Sequence, residues 1–111
     1  MADFEIHQYD VVVEYGDNAD NAYFKNIGLI EISTSQTEEE QYFTLLHEAS
    51  HVVVMQKKDF TYLGESGIIL NEALAWAEAE DLIQNLSLPL DQKRWQRFKD
   101  RSIASYIERK R

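Results

Sequence analysis

In the run Thr37-Glu38-Glu39-Glu40-Gln41-Tyr42-Phe43-Thr44-Leu45-Leu46-His47-Glu48-Ala49-Ser50-His51 the periodicity of the chain changes. Thr37, with Glu40 three residues on, has the spacing of a capping box, in which hydroxyl and carboxylate satisfy each other's free backbone N–H. The three glutamates of the first turn suit the positive end of a helix dipole. Phe43, Leu46, Ala49 and Val53, joined by Leu45 and Val52, then recur at helical spacing. A helix from about 38 to 56 is expected, with Lys57 and Lys58 where cations favour its C-terminus.

Upstream of that helix the composition is that of strands. Residues 4–15 are rich in Val, Ile and Tyr, and 23–34 carry Ile27, Leu29, Ile30 and Ile32 as apolar positions. Gly16-Asp17-Asn18-Ala19-Asp20-Asn21 between them has turn chemistry. The two runs are expected to pair as an antiparallel hairpin, with a break near Asn26–Gly28. Downstream, Gly64 and Gly67 mark residues 59–67 as a loop, and a second helix is expected from about 69 to 86. Leu88-Pro89-Leu90 ends it. Asp91 caps a third helix to about 109, with Trp95, Phe98, Ser102, Ile103 and Tyr106 on its packing face. Two strands followed by three helices predict an α+β fold in one domain, residues 1–111, with helices on one face of a small antiparallel sheet.

The chemistry concentrates on the first helix. His47 and His51 lie four residues apart, so their imidazoles share one face and can share one ion. Glu48 stands about 100° further round, where it can reach a water on that ion without binding the ion itself. This is the H-E-x-x-H pattern, and it uses two of the three histidines in the chain. Zinc is the expected cofactor, one per chain, because the ligands are imidazole and carboxylate. Catalytic zinc usually has three protein ligands plus water. His7, at the start of the first strand, reads as a surface residue. Glu72 is the better third ligand. It shares a helical face with Ala75, Trp76, Ala79, Leu82, Ile83 and Leu86, and a carboxylate on an apolar stripe is costly unless something pairs with it. Glu78, Glu80 and Asp81 fall on other faces and read as solvated charge.

His47-Glu48-x-x-His51, followed 21 residues later by Glu72 within Asn71-Glu72-Ala73, resembles the gluzincin metallopeptidases. Glu65-Ser66-Gly67 is similar to thermolysin-type sequences, and residues 28–32 with 39–48 to compact phage and bacterial peptidases related to the ImmA/IrrE group. The resemblance covers about residues 27–83. It implies a zincin-like fold, His47, His51 and Glu72 as zinc ligands, and Glu48 as general base and proton shuttle. It also implies a peptide or protein substrate bound as an extra strand along a sheet edge, which the strand ending at Ser33-Thr34-Ser35 would supply. The chain departs from the thermolysin pattern twice. Trp76 stands where those enzymes place an aspartate that orients a ligand histidine. No histidine follows His51 to stabilise the oxyanion, so Tyr106 and Arg101 are the candidates for that role.

Composition narrows the partners. The 111 residues, 44% hydrophobic, are enough for a core. With no cysteine, disulfides and thiolate metal sites are excluded. The net charge of -9 argues against nucleic acid. No apolar run reaches the roughly 20 residues of a membrane span. Met1-Ala2-Asp3-Phe4-Glu5 lacks the basic start and apolar stretch of a signal peptide, so a cytoplasmic protein is expected. Eight of the 11 basic residues lie in 91–111. That basic helix is expected to pack on the chain's own acidic body or to cover the cleft. Three readings result: a zinc metallopeptidase; a latent or inactive zinc-binding regulatory protein of the same fold; and a metal-free helical interaction domain.

Overall fold

The computed structural model describes residues 11–57 and 63–109. His7 and Lys58 lie outside the described residues. The architecture is α+β: strands β1 (Val12–Gly16), β2 (Ala22–Phe24) and β3 (Leu29–Ser33), then helices α1 (Glu38–Lys57), α2 (Glu65–Asn85) and α3 (Gln92–Arg109).

The sheet corrects the expected hairpin. Its order is β1-β3-β2, with β1 parallel to β3 and β2 antiparallel to it, so the sheet is mixed rather than antiparallel. The run expected as one second strand divides at the anticipated break. Lys25–Ile27 forms a 3-10 turn and Gly28 takes a left-handed φ of 61°, a conformation open to glycine at no steric cost. The chain reverses there, and Ile27, expected as an apolar strand position, is instead exposed. The span from Gly16 to Leu29 is just long enough for β1 to run parallel to β3, with β2 built into the crossover. In β3 burial alternates over the first four residues: Ile30 and Ile32 are fully buried beneath α1, while Leu29 and Glu31 are less covered; Ser33 at the end is buried as well.

The cap forms as read. Glu40 N–H donates to Thr37 Oγ1 at 3.1 Å and Thr37 N–H donates to Glu40 Oε1 at 3.1 Å, an arrangement that stabilises a helix by about 1 kcal/mol. Helix α2 begins at Glu65, a full turn before the expected start, because Gly64 with φ 66° turns the chain into it. Asp91 Oδ1 accepts Arg94 N–H at 3.1 Å and caps α3.

Helix α1 is the centre of the molecule and touches β2, β3, α2 and α3. One side packs Leu45, Ala49 and Val52 onto Ile30 and Ile32. The other packs Phe43 and Leu46 against Trp76, Ala79 and Ile83 of α2 and Trp95 of α3. Being covered on two sides, α1 buries polar residues too: Thr44, His47, Glu48 and Ser50. Ser50 Oγ resolves its own burial by donating to the Leu46 carbonyl at 2.7 Å.

Candidate metal centre

His47 and His51 project one turn apart from α1 toward Glu72 of α2. His47 Nε2 lies 3.0 Å from Glu72 Oε1, and His51 Nε2 lies 3.0 Å from Glu72 Oε2. The donor atoms of the three side chains all fall within 4.8 Å of one another. Donors held about 2.0–2.1 Å from a tetrahedral zinc ion stand roughly 3.3 Å apart, so the spacing is close to that of a ligand set. Two neutral imidazoles and one carboxylate also suit a divalent cation. These residues could hold a metal ion and would leave a fourth position open.

The helices bring the group together for reasons visible in their packing. Ala75 and Ala79 on α2 are fully buried, which lets α2 approach α1 closely. Glu72 shares their face, as read from its spacing, while Leu86, assigned to the same stripe, lies past the helix end and is exposed. Two of the glutamates read as solvated charge are partnered instead. Glu78 pairs with Lys57 at 3.1 Å, and Glu80 takes both Lys99 at 3.2 Å and the buried Trp95 indole N–H at 3.3 Å.

The electrostatics follow from burial and mutual charge. Burial raises the Glu48 carboxyl above its ordinary range, and Glu72 adds to this; His47, His51 and a hydrogen bond from the Tyr23 backbone N–H offset only part of it. Burial alone would push the Glu72 carboxyl up too, but hydrogen bonds from both imidazoles, with their charge, hold it well below the usual carboxylate range. For His51, burial lowers the affinity for a proton, yet the Glu72 and Glu48 carboxylates outweigh it and the net shift is upward.

A cleft of about 620 Å³ opens over these groups. Its floor holds His47, Glu48, His51 and Glu72, one wall is Asn21, Ala22 and Tyr23 at β2, and the other is α3, with Phe98, Arg101, Ser102 and Tyr106. Arg101 and Tyr106 therefore both line it. Arg101 reaches across to Glu40 at 3.7 Å. The cleft-side sheet edge is β2. The stretch ending at Ser33–Ser35, expected to present that edge, belongs instead to the central strand β3, which is paired on both sides. A second cavity of about 490 Å³ adjoins the first, sharing Glu72 and Tyr106, and is otherwise apolar: Ile69, Ala73, Trp76, Ile103 and Ile107.

Sequence reasoning missed three parts of the site. The Tyr23 backbone donor depends on how β2 is placed. Phe98, expected on the packing face of α3, also lines the cleft. Trp76, expected only as part of the apolar stripe of α2, stacks its ring on His47 with centroids 4.0 Å apart and a 21° tilt. No protein-family model, curated protein or solved structure matches the chain.

Proposed function

We propose that this protein is a zinc-dependent metallopeptidase of the gluzincin kind. The observation that carries the reading is the convergence of His47 and His51 on Glu72, each imidazole 3.0 Å from a carboxylate oxygen, with the buried Glu48 carboxyl at the same cleft. His47, His51 and Glu72 would hold a zinc ion, which would supply a Lewis acid and lower the pKa of water. Glu48 takes the proton from the attacking water and returns it to the leaving amine. The β2 edge offers backbone groups to an extended peptide, and the adjoining apolar cavity accommodates an apolar side chain. Arg101 and Tyr106 on α3 are the donors nearest in kind to an oxyanion stabiliser. The reading places the protein in the cytoplasm, acting on peptides or proteins; among the described residues no helix is long and apolar enough to cross a membrane.

The test is Glu48→Gln, which leaves the three ligands in place. Zinc content should stay stoichiometric while peptide hydrolysis falls by about 10²–10⁴-fold. Undiminished cleavage by this variant would overturn the mechanism.

A second reading has its own observation. The Arg101–Glu40 contact ties α3 to α1 across the cleft, an arrangement suited to a latent or regulatory zinc protein. Removing α3 would not isolate this effect, because Trp95 is buried in the core. Arg101→Ala separates the readings: hydrolysis should drop if Arg101 stabilises the oxyanion, and rise if it holds the cleft shut.

A further inference from the structure

His47 is a metal ligand in the reading above, and a ligand histidine must be held in one orientation. The usual device is a hydrogen bond from the second ring nitrogen to a carboxylate, a carbonyl or water. Among the described residues His47 Nδ1 is buried and has no hydrogen-bond partner. What the ring does have is a face. It lies against the Trp76 indole at 4.0 Å, closer than the 4.5–7 Å common for aromatic pairs, and within 21° of parallel. Trp76 is itself locked, by Trp95 at 5.7 Å and Phe98 at 6.2 Å, and is almost fully buried.

We propose that Trp76 is the positioning residue of the metal centre, its indole face setting the His47 ring so that Nε2 meets Glu72. The inference rests on the metal reading of the cluster and is independent of whether peptides are cleaved. Stacking fixes the plane of the imidazole without a second negative charge. A ring that donates to a metal becomes electron-poor, and the indole face attracts positive charge, so the contact strengthens when the ion is present. Core packing alone would demand only volume from residue 76; positioning demands an aromatic face.

The experiment compares the unaltered protein with Trp76→Phe and Trp76→Leu, measuring the Zn²⁺ dissociation constant by competition with a chromophoric chelator. Phe keeps a face and Leu keeps apolar bulk. Trp76→Phe should stay within about threefold of the parent, and Trp76→Leu should bind about tenfold more weakly or worse. Equal affinity for all three overturns the inference and leaves the metal site standing, whereas no zinc uptake by the unaltered protein overturns both. If circular dichroism shows Trp76→Leu unfolded, Trp76→Met, which keeps apolar bulk without a ring, takes its place. About tenfold weaker zinc binding by that variant supports the contact, and affinity equal to that of the parent refutes it.

Discussion

The two sides of α1 are built from different materials. Toward the sheet, Leu45, Ala49 and Val52 meet Ile30 and Ile32, an aliphatic contact. Toward α2 and α3, Phe43 and Leu46 meet Trp76 and Trp95, with Phe43 edge-on to Trp95 at 5.4 Å and 77°. Both sides bury apolar area and both hold the helix. Among the described residues, only the aromatic side sets a ring against the candidate metal cluster, in the Trp76–His47 stack. The difference teaches that one helix can be fixed in place by one face and given its chemistry by the other. Aliphatic groups fill space without regard to direction, while rings impose an angle.

The comparison can be broken most severely at the cluster. Glu72→Ala removes one of the three proposed ligands. The rise in melting temperature on adding zinc, worth about 4 kcal/mol at a thousandfold excess over the dissociation constant, should vanish in differential scanning fluorimetry. A preserved rise would mean that Glu72 is no ligand.

A smaller pair of effects sharpens the contrast. Leu45→Ala and Phe43→Ala should each cost about 3–5 kcal/mol by urea unfolding, since both side chains are fully or almost fully buried. Only Phe43→Ala should also weaken zinc binding, because it loosens Trp95 behind Trp76. If Leu45→Ala weakens zinc as much, the two sides are not distinct.

The mildest effect is on pH. His51 has a folded proton affinity above its ordinary value of 6.5, so its contribution is complete below that pH and fades as pH rises. Glu48 is raised above 4.5 and acts in the same direction. Glu72 is lowered from 4.5, so its contribution is present above that pH and is lost as pH falls. The metal-free protein should therefore melt highest near pH 4.5, decline above it as the Glu48 contribution fades, and decline more steeply past 6.5 as that of His51 follows. Zinc should reverse the alkaline limb, because protons compete for the same nitrogens. Melting curves from pH 2.5 to 8, with zinc and with chelator, check both slopes.

Much of this was legible in the chain. The capping box at Thr37, the Asp91 cap and the four-residue spacing of His47 and His51 are local, and local geometry is what a sequence states. Glu72 was legible because a carboxylate on an apolar stripe poses a question of cost. The strand pairing was not. β1 parallel to β3 depends on which edge is free once β2 has folded back, and no residue in 11–16 encodes that. Nor was the Trp76 stack: the sequence marks a large apolar residue on the right face, but a ring's tilt is set by Trp95 and Phe98 from another helix.

The four residues Lys25 to Gly28 set the alignment of β2 on β3, in which Tyr23 faces Ile30. One inserted residue would slip that alignment and send alternate groups to the opposite face. The Tyr23 side chain, which lines the cleft opposite α3, would leave it. The length of a surface turn thus sets the shape of a cavity whose floor lies on two separate helices.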